Sequence, residues 1–359
     1  MTQPTTATEV WVYENGGPEQ LTVEERRLPD PGPHDVLVSV DTTALSGWDL
    51  RYRKGLGDIV LPGRNPFPLP QRLGREGAGT VLAVGSAVTA FQAGDKVAGV
   101  VHPENPTALE TYRGLGNLST GIAIPGHQSP GSYASHLIRD ESLWLPLPAD
   151  ADLEQAAVTL WPYGTSHRIL RDRLRVQAGD TLLVAGGTGP MGLAMLNLAA
   201  VFGLRTIATT RQAARAEGLR AAGADEVVVT TDLTAARAHI RDLTGGRGAD
   251  HAIDNTGNSD LLRLLIDSLR LGGRLCPASG SMNTPGPMPF AVLDLTMLEC
   301  DIVGIRGARQ EDALRVLDLL AQGRVHSPIA ARFPLTKAAD AHAYMENDTE
   351  HVGRILLKP

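Results

Sequence analysis

The sequence contains little cysteine, few aromatic residues and no excess of positive charge. Cys276 and Cys300 are the two cysteines among 359 residues, so we expect neither a disulfide framework nor a zinc site built from cysteines. The formal net charge of −7 gives no general attraction to nucleic acid or anionic lipid, although it leaves room for local basic pockets. The composition therefore favours a cytoplasmic protein.

Long apolar runs and a secretory signal are also missing. No apolar stretch approaches the roughly 20 residues that a membrane-spanning helix needs. The first ten residues, MTQPTTATEV, are polar and lack the basic and apolar segments of a secretory signal. We therefore expect neither a membrane nor a nucleic-acid partner.

The length and the patterning predict two domains. A chain of 359 residues is long for one hydrophobic core. From Val10 to about Leu147, short alternating apolar runs are broken by glycine and proline, which is typical of a β-rich, barrel-like domain. From about Ala157 to Ala321, apolar strands alternate with helical patterns, which indicates a parallel sheet covered by helices on both faces. The apolar run that ends the chain could pair back onto the first domain.

The strongest motif is TLLVAGGTGPMGLAMLNLAAVFG, in which a strand, a glycine-rich loop and a helix follow one another. Its glycines match G-x-G-x-x-G, the pattern that lets a backbone approach a pyrophosphate at a helix N-terminus. The alternative is a purely structural glycine turn. We predict a dinucleotide site and assign six loop residues to it: Gly187, Thr188, Gly189, Pro190, Met191 and Gly192.

The residues after the next strand favour NADP(H) over NAD(H). An NAD site usually places an acidic residue about 20 positions beyond the loop, where it binds the ribose hydroxyls. This chain has Thr210 there, followed by Arg211 and Arg215. A hydroxyl beside two guanidinium groups suits a 2′-phosphate, which a carboxylate would repel. The alternative is two solvated arginines at the start of a helix.

Together with this loop, the stretches GREGAGTVLAVG, GDKV, GSYASHLI and GRILLKP are similar to the medium-chain dehydrogenase/reductase superfamily. The superfamily contains zinc alcohol dehydrogenases and zinc-free quinone oxidoreductases and enoyl reductases. The resemblance implies an α/β protein with a GroES-like, β-rich catalytic domain at residues 1–155 and 325–359. It also implies a Rossmann domain with a doubly wound parallel sheet at residues 156–324, and a substrate cleft between the domains. The segment 281–305 resembles the superfamily's subunit contact, which implies a homodimer.

The resemblance also shows where the zinc sites have been lost. The three catalytic zinc ligands correspond to Ser46, Arg75 and Trp161, and none of these is a strong zinc ligand. The proton-relay positions carry Trp48 and Arg51. We therefore expect no catalytic metal.

A second, structural zinc site is replaced in a loop of unchanged length. The four cysteines of that lobe correspond to Asn105, Ala108, Thr111 and Ser119. Something other than zinc must order this loop, or the loop moves.

Two alternatives remain open for Arg75. It could form an ion pair with Asp49, which in the superfamily orients the zinc-binding histidine, or it could polarise a substrate carbonyl or carboxylate. The aromatic residues that the resemblance places near the nicotinamide could line a flat substrate or pack against the empty metal cavity, and Tyr52 is the best proton donor among them. These aromatic residues are Trp48, Tyr52, Trp161 and Tyr163.

Further cofactor residues are implied by the resemblance alone. Ser46 and Thr165 correspond to positions that approach the nicotinamide, Asn255 to Gly257 follow a Rossmann strand, and Arg354 corresponds to a basic residue near the pyrophosphate. His102 and His127 are expected to be exposed loop histidines, with a role in substrate protonation as the alternative.

These observations predict an NADPH-dependent, zinc-independent reductase that transfers hydride to an activated C=C bond in an enone, enoyl thioester or quinone. Without zinc to polarise an isolated ketone, a conjugated acceptor is the accessible electron sink. The alternatives are a metal-free carbonyl or iminium reductase, and a nucleotide-binding protein without redox turnover.

Overall fold

The computed structural model describes residues 5–56, 67–279, 289–348 and 351–359. The strands are β1 (Thr6–Val12), β2 (Leu21–Arg27), β3 (Asp35–Leu45), β4 (Gln71–Arg72), β5 (Glu76–Val84), β6 (Lys96–Gly99), β7 (His136–Asp140), β8 (Trp144–Pro146), β9 (Thr181–Ala185), β10 (Arg205–Thr210), β11 (Glu226–Val229), β12 (Ala249–Asp254), β13 (Leu269–Pro277), β14 (Asp301–Ile302), β15 (Ile329–Pro334) and β16 (Arg354–Lys358).

The α-helices are α1 (Gly47–Arg53), α2 (Leu109–Tyr112), α3 (Leu153–Arg168), α4 (Pro190–Phe202), α5 (Ala216–Ala221), α6 (Leu233–Leu243), α7 (Ser259–Asp267), α8 (Val292–Leu298), α9 (Gln310–Ala321) and α10 (Ala338–Asn347). A π-helical segment, Ile169–Leu174, continues α3. No helix in the described ranges combines the length and the apolar character needed to cross a membrane.

The chain divides into two compact units. The first unit consists of Met1–Trp161 and Ala308–Pro359, and the second of Pro162–Gly307. The sequence pattern assigned α9 to the second unit, but the structure assigns it to the first. The reason is packing, because Leu317 of α9 joins an apolar cluster with Leu145 and Leu160. An amphipathic pattern predicts a helix but does not identify the sheet that the helix covers.

The first unit is built on two sheets. The smaller has the strand order β2-β1-β4, and the larger has the order β15-β16-β3-β5-β6-β8, with β7 paired to β3. The long strand β3 is buried on both sides for most of its length. Alternating valines of β3, Val36 and Val38, pack against Val97, Leu137 and Trp144. The β-rich first domain and the return of the last strand, β16, to β3 are as the sequence predicts.

The second unit contains a six-stranded parallel sheet with the order β11-β10-β9-β12-β13-β14. This is the doubly wound order in which the first strand lies at the centre and the chain reverses beside it. The central strand β9 is apolar and buried from Leu182 to Ala185, because helices cover both faces of a parallel sheet. The predicted Rossmann sheet is therefore confirmed.

The loop that resembles a metal-free zinc lobe is ordered by hydrogen bonds at the former ligand positions. The amide of Asn105 donates to Ser119 Oγ at 2.9 Å, and Thr111 Oγ1 donates to the Asn105 carbonyl at 2.6 Å. The Asn105 side chain reaches across the loop and donates to the Thr120 carbonyl at 2.9 Å. Ser119 Oγ also donates to the Gly116 carbonyl. Side-chain and backbone hydrogen bonds thus link positions that zinc would otherwise join.

We expect Asn105→Ala to loosen this lobe. The variant loses the side-chain bond to Thr120 and the bonds that Asn105 Oδ1 accepts from Thr107, at a cost of about 1–3 kcal/mol. Limited proteolysis should cleave within residues 105–120 several times faster than in the parent, which mass spectrometry can map. Glu110→Gln is the matched control, since the Glu110 side chain is exposed and takes part in none of these bonds, so cleavage should change little. Equal cleavage in parent and Asn105→Ala would show that the Asn105 side chain does not hold the lobe.

Candidate active site and dinucleotide-binding loop

The glycine-rich loop between β9 and α4 is too closely packed at Gly187 and Gly192 to accept a side chain without a shift of its neighbours. A Cβ on Gly192 would lie 2.2 Å from the Gly186 carbonyl oxygen and 2.5 Å from the Gly187 Cα. A Cβ on Gly187 would lie 2.8 Å from Leu219 Cδ2. The helix then begins with Pro190 at its first position, and Gly189 provides no side chain to cap it. The loop therefore leaves its backbone and the helix N-terminus accessible to an anionic group.

Two predicted cofactor residues in this unit carry buried polar atoms that have no partner among the described residues. They are Asn255, through Oδ1 and Nδ2, and Thr165, through Oγ1. The turn that presents Asn255 is fixed because Asp254 Oδ1 accepts hydrogen bonds from the amide and the hydroxyl of Thr256 at 2.8 and 2.6 Å. Buried polar groups normally have partners. A dinucleotide, which offers both donors and acceptors, fits these positions.

The structure brings Arg215 to the glycine-rich loop. Arg215 Nη1 donates to Thr188 Oγ1 at 3.4 Å, and its Nε is buried without a partner among the described residues. Thr210 ends β10, and its hydroxyl pairs with the backbone of Gln212. Arg211 is exposed. The side chains predicted to select a 2′-phosphate thus lie at the end of β10, and Arg215 connects them to the loop.

In the first unit, the carboxylate of Asp49 connects helix α1 to the turn before β5. Asp49 Oδ2 accepts hydrogen bonds from the amide and the hydroxyl of Ser46 at 2.8 and 2.6 Å, and Oδ1 accepts one from the Gly74 amide at 2.9 Å. Complete burial raises the pKa of Asp49, and these donors act against that rise. Ser46 therefore caps the helix, and its hydroxyl is already used within the protein.

Arg75 does not form the expected ion pair with Asp49. Its guanidinium is 7% exposed, and Nη2 donates to the Val101 carbonyl at 3.2 Å. Its Nε has no partner among the described residues. Arg75 still lowers the pKa of Asp49 through space, but this contribution is smaller than those of the hydrogen-bond donors. The prediction of a contact pair was wrong because the helix cap and the Gly74 amide occupy both oxygens of Asp49.

A buried ion pair that sequence reasoning missed lies next to Arg75 along the chain. Glu76 accepts a hydrogen bond from Arg354 Nη2, and both side chains are almost fully buried. The amide of Trp161 donates to Glu76 Oε1 at 3.3 Å, and the Arg354 guanidinium lies 5.9 Å from the Trp161 ring centre. The sequence offered one clue to this ion pair. Two largely apolar strands each begin with a charged residue, Glu76 in β5 and Arg354 in β16. Arg354 remains a predicted cofactor residue whose known partner is Glu76.

The predicted aromatic residues do not form one group. Tyr52 is 2% exposed and stacks on Phe67 and His127, with ring centres 4.9 and 4.5 Å apart. Trp48 is half-buried, 5.6 Å from Tyr52, and its ring lies 5.4 Å from the Arg51 guanidinium. These positions match the packing alternative for Tyr52 and Trp48.

Tyr163 belongs to the second unit. It is completely buried, and its hydroxyl donates to Asn197 Oδ1 of α4 at 3.1 Å. The expectation of exposed histidines was also wrong. His127 stacks on Tyr52, and His102 is half-buried near the Ala308 amide. Turn residues in a sequence do not reveal which aromatic surfaces will cover them.

Comparisons with known families and structures cover both units. Residues 32–149 match the family described as Alcohol dehydrogenase GroES-like domain, and residues 190–322 match the family described as Zinc-binding dehydrogenase. The crystal structure of an NAD-dependent alcohol dehydrogenase is 31% identical, with a TM-score of 0.88, covering 98% of this chain and 99% of that one. The chain belongs to the medium-chain dehydrogenase/reductase superfamily.

Two relatives that cover most of this chain are named as oxidoreductases. A 2-haloacrylate reductase from Burkholderia sp is 26% identical, covering 97% of this chain and 98% of that protein. A quinone oxidoreductase from Pseudomonas aeruginosa is 29% identical, covering 91% of this chain and 92% of that protein. This superfamily member is therefore an oxidoreductase, and its fold implies a nicotinamide cofactor.

The residues of this superfamily member do not fit a catalytic zinc. At the three positions that the resemblance assigns to the zinc ligands, Ser46 is bonded to Asp49, Arg75 is cationic, and Trp161 offers only an indole. Within the described ranges, no three histidine, cysteine, aspartate or glutamate side chains are grouped closely enough to hold a metal ion.

We expect Glu76 to make folding stability fall between mildly acidic and neutral pH. Burial raises the pKa of Glu76 from 4.5 to about 7, although Arg354 acts to lower it. Since the folded protein holds this proton more tightly than the unfolded chain, the stabilisation is complete below pH 4.5 and is lost as the pH rises through about 7. The contribution is on the order of 3 kcal/mol.

Urea unfolding of the parent and Glu76→Gln at pH 5 and pH 8 measures this effect. The parent should lose more stability than the variant between the two pH values. Glu154→Gln is the control, because hydrogen bonding to Arg332 lowers the pKa of Glu154 and places its titration below this window. The same pH slope in the parent and in Glu76→Gln would rule out Glu76 as the titrating group.

Proposed function

We propose that this protein is an NADPH-dependent reductase that reduces an activated C=C bond without zinc. The observation that carries the proposal is Arg75, a fixed and buried guanidinium at a position where zinc members of the superfamily carry a metal ligand. A cation held at that position stabilises negative charge that develops on a substrate oxygen. A conjugated acceptor develops such charge when hydride adds to its β-carbon.

The cofactor assignment is supported by the second unit. The backbone from Gly187 to Gly192 binds the pyrophosphate, and Thr210 and Arg215 bind the 2′-phosphate, with Arg211 as the exposed second cation. Asn255 and Thr165 supply polar atoms that have no partner among the described residues. When bound, NADPH supplies the hydride.

The roles of the first-unit residues follow from their contacts. Asp49 binds the amides of Ser46 and Gly74, which fixes α1 against the turn that carries Arg75. The backbone of Arg75 is therefore held in place, and the Val101 carbonyl accepts a hydrogen bond from its guanidinium. Arg75 stabilises the substrate oxygen and remains protonated throughout. Because Tyr52 is packed between Phe67 and His127, we assign protonation of the α-carbon to water rather than to the tyrosine.

A second candidate is a metal-free carbonyl reductase or alcohol dehydrogenase. The observation that favours it is the 31% identity to a structure named as an NAD-dependent alcohol dehydrogenase. In that case Arg75 would polarise an isolated carbonyl instead of a conjugated one.

We also propose a cytosolic homodimer. Helix α8 exposes Val292, Leu293 and Met297 by 80, 66 and 69%, next in sequence to the edge strand β14. Exposed apolar groups of this kind mark interaction surfaces. Part of the predicted contact segment, residues 281–288, lies outside the described residues. Both cysteines are free thiols, which suits a reducing compartment.

Absorbance of NADPH at saturating concentration, followed with 2-cyclohexenone, benzoquinone and cyclohexanone, tests the reaction class. We expect oxidation with the enone or the quinone, and a rate with the ketone at least about tenfold lower, because Arg75 lacks the Lewis acidity of zinc. Turnover of the ketone alone would favour the carbonyl reductase. NADPH binding without turnover of any of the three would favour a non-redox protein.

Thr210→Asp tests the cofactor. A carboxylate at the end of β10 should repel the 2′-phosphate and weaken NADP⁺ binding by about 100-fold, while NAD⁺ binding changes little. Isothermal titration calorimetry measures both affinities. Arg215→Ala should weaken NADP⁺ selectively, whereas Arg220→Ala, an exposed arginine on the following helix, serves as the matched control. Equal losses for NADP⁺ and NAD⁺ in Thr210→Asp would contradict the assignment.

A further inference from the structure

The Arg75 guanidinium is buried without contact to a described acid. Its one hydrogen bond runs to the neutral Val101 carbonyl, and its Nε is buried without a partner in the described part of the chain. Arg354, which is fully buried, differs because it pairs with Glu76 at contact distance. Arg139 also has no contact acid among the described residues, but its guanidinium donates to both the Pro130 carbonyl and Ser132 Oγ. Burying a cation without a contact anion lowers stability.

The two nearby acids cannot supply that anion without losing their own bonds. Asp49 uses one oxygen for Ser46 and the other for the Gly74 amide. Glu76 uses one oxygen for Arg354 and the other for the Trp161 amide. Turning either carboxylate towards Arg75 would leave buried donors unsatisfied. Among the described acids, Asp49 therefore acts on Arg75 through space only, and an anionic ligand would supply the direct contact that Arg75 lacks.

We infer that Arg75 binds the carboxylate of the substrate, so that the preferred substrates are free α,β-unsaturated carboxylic acids. This inference rests on the proposed function and names its substrate class. A guanidinium matches a carboxylate through two parallel N–H···O bonds. A neutral enone or an ester would satisfy the Nε donor but would leave the charge of Arg75 uncompensated.

NADPH and water supply the two hydrogens that the reaction adds, and Arg75 stabilises the charge that develops. Hydride from NADPH forms a C–H bond at the β-carbon, and the electron pair of the C=C bond moves to the α-carbon and the carboxylate. Arg75 offsets the additional negative charge on the carboxylate oxygens. A proton from water then forms the second C–H bond at the α-carbon, which yields the saturated acid, NADP⁺ and hydroxide.

Binding of butyrate tests the inference without turnover. Calorimetry with and without NADP⁺ should show that Arg75→Met weakens butyrate at least about tenfold, with Arg75→Lys between it and the parent. Arg139→Lys is the matched control, because Arg139 is also buried and donates to a backbone carbonyl, that of Pro130. The Arg139→Lys variant should bind butyrate as tightly as the parent does. Circular dichroism confirms that each variant is folded.

A cofactor phosphate is the other possible anionic partner of Arg75, and the affinities of the Arg75 variants for NADP⁺ test it. If Arg75→Met and Arg75→Lys weaken NADP⁺ itself, the partner of Arg75 is a cofactor phosphate, and the inference is overturned. It is equally overturned if the parent fails to bind butyrate, or if both Arg75 variants bind it as tightly as the parent.

Turnover of crotonate and methyl crotonate separates this inference from the proposed function. The parent should prefer crotonate. Arg75→Met should lower kcat/KM for both substrates, because Arg75 stabilises charge on either substrate oxygen, but the loss should be at least about tenfold greater for crotonate, which alone carries a carboxylate. Equal losses for both substrates would retain the reductase and reject carboxylate recognition. Butyrate binding that depends on Arg75, without reduction of any alkene, would retain the anion site and reject the reductase.

Discussion

A buried charge needs a partner of opposite charge, and the first unit is arranged around this constraint. Glu76 neutralises Arg354 where β5 and β16 begin, and Asp49 receives enough hydrogen bonds from Ser46 and Gly74 to remain buried. The same bonds fix α1 against the turn that presents Arg75. Once each acid is bound to its own donors, no described acid contacts Arg75, and its Nε has no partner among the described residues. Its position is therefore a consequence of how its neighbours are satisfied.

In the second unit, the main constraint is the close packing of backbone atoms at the glycine-rich loop. Backbone atoms of Gly186 and Gly187 approach Gly192 so closely that a side chain there would collide with them, and this closeness keeps the helix N-terminus near the end of β9. Buried polar atoms of Asn255 and Thr165 have no partner among the described residues. Because buried polar groups normally have partners, these atoms are suited to bind a ligand.

The sequence predicts most of the fold because strands, helices and glycine turns depend on local patterns. The strand, loop and helix around Gly187, and the alternation that becomes the parallel sheet, are of this kind. Contacts between distant segments were not predictable in the same way. The expected pair of Arg75 and Asp49 failed because a helix cap competed for the carboxylate, and the pair of Glu76 and Arg354 was missed because 278 positions separate its members. The exposure expected for His127 was wrong because its partner, Tyr52, lies on another element.

The positions that the resemblance assigns to the two zinc sites of the superfamily are filled in different ways, and the difference bears on the proposed function. In the lobe, neutral groups of Asn105, Thr111 and Ser119 bond to one another, so the former ligand positions satisfy themselves. Hydrogen bonds of this kind are sufficient to order a loop. At the catalytic position, the replacement for a neutral ligand is Arg75, which brings a full charge into a buried place without a contact acid. A repair of structure alone would have been achieved with an apolar or neutral residue, since an uncompensated buried charge lowers stability. The charge is better explained by an anion that binds and leaves during turnover.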